Sequence, residues 1–428
     1  NHSKKNSNHY TLHGTSLINE GTMIVNDSRF FNTGISSSLC FTTTNGLLNW
    51  NNSADLPNPV NSSFKDLTIS TSCSYASNYN ITGNLINNAT FTPSSDDLNL
   101  TFNGSISQSI SGTGQLNIKK LTLNNSNGLT LSCSEINIDE VMESTSGAFN
   151  QNGSNIILKS STANNGGLIK VNNETDYTYT SGNFIVERYF NATSNGWRMI
   201  CSPVKTSTLL DVDDEFIFCG IAGATAGNNF VIADCGHFYN VITYNESSDD
   251  YSEVTTATQS ISSGNGTLIY TSAGEYNLLM GGARSPNFDD ISYGVTTNGE
   301  GYNLVSNPYP ATLDWSAFES VNDIESNHWI FSGDAGNFLS SSNDIPHSQG
   351  FFVKANSAGN LTFNVGQTTN SNTATFVKSE NGVNLPLSLK VSSDQNSYYD
   401  YAHIHAAAHF SAAYDSSFEI SKFYTPYP

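Results

Sequence analysis

His403, His405 and His409 form the densest histidine group in the chain. On a strand, His403 and His405 would point to one face, where two imidazoles can share a metal. No carboxylate or third ligand recurs nearby at a suitable spacing, and alanines fill the gaps, so the segment reads as a packed strand with exposed imidazoles. Asp211-Val212-Asp213-Asp214-Glu215 offers the hard oxygens that calcium prefers, but it lacks the glycine turn and distal glutamate of a complete calcium loop. It reads as a solvated acidic loop, with calcium the one cofactor such a run would take. Asp249-Asp250 and Asp289-Asp290 are weaker versions of the same feature. No G-x-S-x-G elbow, H-E-x-x-H pair, phosphate loop or dinucleotide fingerprint occurs, and Gly112-Thr113-Gly114 and Gly264-Asn265-Gly266 are tight turns without a third glycine. Polysaccharide cleavage needs clustered carboxylates, often with a basic residue. Asp96-Asp97 is the only paired acid before residue 138, and Arg29 is the sole arginine of residues 1–180. Tyr398, Tyr399 and Tyr401 could stack on sugar rings, although tyrosines in such positions more often cover a sheet. No residue is assigned a catalytic, cofactor-binding or metal role.

The elements that would position any site are strands. Residues 1–180 contain many short alternating segments separated by Asn/Gly/Ser turns, among them Asp66-Leu67-Thr68-Ile69, Leu98-Asn99-Leu100-Thr101-Phe102, Leu116-Asn117-Ile118, Leu121-Thr122-Leu123, Leu129-Thr130-Leu131 and Ile136-Asn137-Ile138. Such alternation predicts strands with one buried face. Lys65 to Ser70 recurs in altered form as Lys119 to Asn124. The irregular repetition predicts an N-terminal right-handed parallel β-helix (solenoid) over 1–180, its lumen filled by Leu/Ile ladders. Turn asparagines are expected to adopt the left-handed conformation and to bond neighbouring backbone. An antiparallel sandwich is the alternative for this half.

From residue 181 the strands lengthen, as in Phe184 to Phe190 and Thr267 to Thr271, and Trp197, Trp315 and Trp329 all lie here. Residues 181–428 are expected to form an antiparallel β-sandwich of jelly-roll type, with two packed sub-domains divided near 295. Helix is expected only over Trp315 to Val321. The fold class is all-β.

Of 428 residues, 12% are charged, and the formal net charge is −21. Residues 1–180 hold 12 acidic and 8 basic side chains, a balance of −4, and the remainder carries −17. This argues against nucleic acid, whose binding depends on cations neutralising phosphates, and against anionic lipid. No apolar run of about 18 residues could span a membrane. The chain begins Asn1-His2-Ser3-Lys4-Lys5 and ends Thr425-Pro426-Tyr427-Pro428, which reads as a portion of a longer polypeptide. Cys219 and Cys235 bracket a Gly/Ala-rich loop that they would staple in an oxidising compartment. Cys40, Cys73 and Cys133 read as buried thiols.

Gly301-Tyr302-Asn303-Leu304-Val305-Ser306-Asn307-Pro308-Tyr309-Pro310-Ala311-Thr312-Leu313-Asp314-Trp315 describes a strand that stops abruptly. Tyr302, Leu304 and Ser306 would share a face, Pro308 ends the ladder, and Asp314 is placed to cap a short helix. Gly196 to Val204 echoes it: glycine, aromatic, alternating apolar residues, a small polar residue, then Pro203. Together with Ile345-Pro346-His347-Ser348-Gln349-Gly350-Phe351-Phe352-Val353-Lys354-Ala355, Leu385 to Leu389 and Phe410 to Lys422, these pieces resemble the region preceding the sorting domain in large secreted surface proteins of the Bacteroidetes exported by type IX secretion. The resemblance covers residues 183 to 428. Cys201 stands where that family has serine, and no sorting domain is present in the sequence. The resemblance implies export by the type IX machinery and an extracellular or outer-surface location.

The reading that follows is a non-catalytic secreted or cell-surface protein for adhesion, display or extracellular assembly, with surface glycans or other surface proteins as partners. The alternative is an accessory or catalytic part of a carbohydrate-active enzyme, and a third reading is a calcium-stabilised spacer.

Overall fold

A computed structural model describes residues 16–18, 22–25, 40–51, 56, 63–161, 166–225, 227, 229–235, 238–262, 264–333, 337–374, 376, 387–392 and 399–404, with side chains described from 48 to 376 of these. The described chain is mostly β. It divides into two units, one of residues 1–157 with 175–182 and the other of 158–174 with 183–428.

The first unit is a β-solenoid of about five turns over residues 48–158. Its strands pair in parallel: Leu67 with Leu85, Leu85 with Ile110, and Ile110 with Leu131. Each coil presents its small alternating apolar set inward, and the parallel register stacks like on like. One wall is the ladder Leu48, Leu67, Leu85, Ile110 and Leu131, all buried. A second runs Cys73, Phe91, Leu116 and Ile136, and a third Tyr79, Leu100, Leu121 and Met142. Toward the lower-numbered coils aromatic rings fill the lumen, with Tyr75 against Phe91 at 4.9 Å and Phe64 against Tyr79 at 5.2 Å. Tyr79 still donates its buried hydroxyl to the Leu56 carbonyl.

The turn asparagines behave in one of the two ways expected. Asn78, Asn84 and Asn88 accept hydrogen bonds from backbone N–H groups of the next coil at Asn99, Ser109 and Thr113. None of the described asparagines adopts the left-handed conformation. Asp97 does, and otherwise glycines such as Gly112 and Gly147 supply it in this unit. A glycine takes positive φ without the Cβ clash that an asparagine must offset.

The second unit is built from small sheets. One four-stranded antiparallel sheet runs in the order Gly196–Ile200, Thr267–Thr271, Val241–Asn245, Asp250–Glu253. Another runs Tyr302–Ser306, Gly350–Ala355, Ile324–Ser332, Asn337–Ser341. Phe184–Ala192 pairs antiparallel with Gly274–Gly282 along nine residue pairs. Among the described residues, helix is confined to a few 3-10 turns and Trp315–Glu319, where Asp314 accepts the capping bond from Ala317 N–H at 3.0 Å. Cys219 and Cys235 are joined in a disulfide, and Cys73, Cys133 and Cys201 are buried thiols. The side chain of Cys40 lies outside the described residues.

Tyr302–Ser306 and Gly196–Ile200 are buried on both faces, not one. Asn303 shows how the second face is buried: its side-chain amide donates to the Thr296 and Gly301 carbonyls, so a polar side chain is accommodated inside.

The two strand-to-proline corners lie together. Asn287 donates its backbone N–H to the Pro203 carbonyl at 2.8 Å and its side-chain amide to the Pro308 carbonyl at 3.2 Å. The Cys201 thiol donates to the Asn307 carbonyl at 3.2 Å. Asn307 in turn donates through Nδ2 to Ala311 and Ile345 carbonyls at 2.8 and 3.0 Å, and its N–H meets the Gln349 carbonyl. Gln349 donates to the Met199 carbonyl at 3.0 Å, and Arg188 to that of His347 at 2.7 Å. The segment Ile345 to Gly350 is thereby fastened to both corners.

Two stability outcomes follow from this packing. Ile110→Ala, between Leu85 and Leu131 of a five-member ladder, is expected to cost about 2–5 kcal/mol, read by denaturant unfolding. Asn307→Asp replaces an amide donor with a carboxylate facing two carbonyls, and a loss of about 3–5 kcal/mol is expected in the same measurement. A loss under 1 kcal/mol for Asn307→Asp would show that the corner is not the anchor described here.

Candidate functional site: a charged stack on three coils

Three charged doublets come together on the outside of the solenoid. Asp96-Asp97 precedes Asn99–Phe102, Lys119-Lys120 lies within Gln108–Asn124, and Asp139-Glu140 lies within Leu129–Ser146. The parallel register that places Leu121 between Leu100 and Met142 also brings the doublets into line. Lys119 Nζ is 3.0 Å from Asp96 and 3.4 Å from Asp139, and Lys120 Nζ is 2.6 Å from Asp97 and 3.7 Å from Glu140. Asp96-Asp97, the only paired acid before residue 138, thus gains its partners from the register. The available signal was the recurrence of a charged doublet once per coil.

Electrostatics decide what this stack can do. Partial burial disfavours the charge on Lys119, but Asp96 and Asp139 outweigh it and hold the pKa above its ordinary value. The Asp97 hydrogen bond has the same effect on Lys120. A lysine held this firmly protonated is a poor general base, because catalysis requires a pKa near the working pH. The arrangement instead ties neighbouring coils together by charge. Beside it, Glu135 accepts from Gln115 and Asn137, and Asn117 bridges Asn137 and Thr92, so the adjacent polar groups also bond across coils. Elsewhere on this unit a shallow groove of about 270 Å³ is lined by Ser107, Ser126, Asn127, Thr130 and Asn150 together with Gly128, Leu129 and Ala148.

The acidic residues singled out in the sequence are divided among separate partners. Asp211 accepts from Arg284 and from Thr208 N–H, and Asp213 from the N–H and hydroxyl of Thr225. Burial pushes the Glu215 carboxyl up to about 7. Asp249 accepts from the Tyr244 hydroxyl, Asp289 pairs with Lys205 at 2.6 Å, and Asp290 accepts from Asn364. Among the described residues, no three His, Cys, Asp or Glu side chains are grouped to hold a metal ion. His403 stands opposite Ser388 in the pairing of Leu387–Ser392 with Tyr399–Ile404. Its side chain, His405, His409, Tyr398 and the side chains of Tyr399 and Tyr401 lie outside the described residues.

One strongly built carboxylate site was not visible in the sequence. Glu246, nearly buried, accepts four hydrogen bonds: from the Thr296 hydroxyl, from Asn298 N–H at 3.1 Å, from Gly299 N–H at 2.7 Å and from Gly301 N–H at 3.0 Å. Successive N–H groups converging on one anion make a backbone nest. Gly301, at φ +87°, gives the loop a turn that a side chain would strain. The nest precedes Tyr302–Ser306 and is filled by the chain's own carboxylate, so it is a lock and not a vacant anion site.

Comparisons with protein-family models, with curated proteins and with solved structures find no match to this chain. Among the described residues, no helix is long and apolar enough to cross a membrane.

Burial alone would raise the Glu246 pKa, but its four donors reverse this and leave it below the ordinary carboxylate value. A carboxyl whose folded pKa is depressed stabilises the fold above its unfolded pKa, and that contribution fades as pH falls through the folded value. Glu246→Gln is expected to lose about 2–3 kcal/mol at pH 7, with the gap from wild type narrowing below about pH 4 in denaturant titrations. A constant gap across that range would contradict the lock.

Proposed function

We propose that this chain is a non-catalytic secreted or cell-surface scaffold, serving adhesion, display or extracellular assembly. In this reading a right-handed parallel β-helix acts as a stalk, the handedness that parallel crossovers nearly always take. It carries a β-sandwich module whose two four-stranded sheets face one another. Contacts between those sheets support the sandwich: Tyr244 packs edge-on against Phe352 at 5.0 Å, and Phe331 N–H approaches Met199 Sδ at 3.1 Å. The observation that carries the functional reading is the charged stack. It is the described solenoid's densest meeting of carboxylates and amines, and its groups are engaged with one another across coils in states unsuited to proton abstraction. Export by the type IX route and a location outside the cell belong to the same proposal. They rest on the resemblance carried by Gly301 to Trp315 and Ile345 to Ala355.

The polar groove at Ser107, Thr130 and Asn150 favours a second reading, an accessory or catalytic part of a carbohydrate-active enzyme, because hydroxyl and amide side chains suit a neutral sugar. A reducing-sugar assay on purified chain, run beside a glycan array, separates the two. Array binding without release of reducing ends is the expected outcome for an adhesive scaffold. Turnover of any polysaccharide overturns it.

A further inference from the structure

His347 lies in the segment that fastens both proline corners and is 2% exposed. Its carbonyl accepts from Arg188 Nη2 at 2.7 Å, and its Nδ1 lies 3.0 Å from the Ser348 hydroxyl. On the other side of the ring is Gly166. A Cβ there would stand 2.9 Å from His347 Nε2 and 3.3 Å from Arg188 Nη1, so imidazole and guanidinium border the same glycine. Arg188 is itself 1% exposed, with the Phe376 ring over its guanidinium at 5.2 Å. Around the imidazole are thus Arg188 from Phe184–Ala192, the Gly166 and Gly167 backbone and the Ser348 hydroxyl; the Gly167 contact favours the protonated ring but is outweighed by burial and Arg188. The charged group that acts on the ring is a cation. Ser348 holds φ +65° with no exposed surface, so the corner is tightly determined on this side as well.

We propose that the His347–Arg188 corner is an acid-sensitive latch, closed while the imidazole is neutral. Protonation sets a second positive charge beside the guanidinium in a site closed to water and releases Ile345 to Gly350 from the proline corners. The ligand of this switch is the proton.

Burial and the Arg188 charge hold His347 well below its ordinary pKa, and burial takes His328 to about 3. His328 faces the rings of Trp315 and Phe351 and is the second buried imidazole among the described residues of this unit. A histidine with a depressed folded pKa is protonated first in the unfolded chain, so stability declines as pH drops below about 6.5. Each such group steepens the fall by up to tenfold in the unfolding constant per pH unit. Glu215 acts in the opposite sense between about pH 7 and the ordinary carboxylate range, because its folded pKa is raised. The informative quantity is therefore the difference between wild type and a variant.

Denaturant unfolding of the full chain at pH 7, 6 and 5, for wild type and His347→Gln, reads that difference. From pH 6 to pH 5 the wild-type unfolding constant is expected to rise about tenfold more than that of the variant. Parallel pH dependences would overturn the latch. Two measurements on wild type alone keep the proposal testable if the variant does not fold. The His347 ring resonances should keep their neutral positions in the folded signal down to pH 5, and a titration near the ordinary histidine value would overturn it. Amide exchange at residues 345–350, corrected for intrinsic rate, should accelerate on acidification before that of the Leu116 and Leu121 ladders. Simultaneous acceleration would mean global unfolding and would likewise reject a latch.

Discussion

Every carbonyl that this chain buries must find a donor, and the second unit is organised around meeting that requirement at two proline corners. Proline ends a strand without supplying an N–H, so a corner inside a protein leaves carbonyls that no ladder partner can reach. Asn287, Asn307, Gln349, Cys201 and Arg188 supply the missing donors. Their placement explains why strands buried on both faces are flanked by amides that would otherwise be out of place in a core. A buried donor without an acceptor, or the reverse, costs about 1–3 kcal/mol. A corner that concentrates several of these bonds therefore governs whether the surrounding sheets can pack.

The solenoid meets the same requirement by repetition. Each coil lends its backbone groups to the next, and the lumen can then be almost wholly apolar. Because the pairing is parallel and in register, any property recurring once per coil becomes a continuous line. Apolar residues make the ladders Leu48 to Leu131 and Tyr79 to Met142. On the outside, the same register aligns Asp96, Lys119 and Asp139.

This alignment bears on function. Carboxylates and amines on adjacent coils are the raw material of sugar-cleaving chemistry, yet here each amine lies between two acids and is driven toward its charged form. Glu246 is likewise engaged by four donors of its own loop. The charges in these places hold segments to one another, which is the property the proposed scaffold reading rests on.

Short alternation in Leu116-Asn117-Ile118 and Ile136-Asn137-Ile138 was enough to read strands with one buried face, because period-two burial is a local property of the chain, and the repetition of such segments pointed to a solenoid with a sandwich as its rival. The cap at Asp314 and the abrupt stop at Pro308 were legible for the same reason. The charged stack was not, since it depends on a register that only coil-on-coil pairing sets. Nor was the Glu246 nest, whose donors lie some fifty residues downstream, or the meeting of Pro203 with Pro308 through Asn287. Local sequence determined which residues prefer to be inside and where strands end. Only the tertiary structure decided which distant polar atoms face one another, because hydrogen bonds and charge pairs act over a few ångströms of space regardless of separation along the chain.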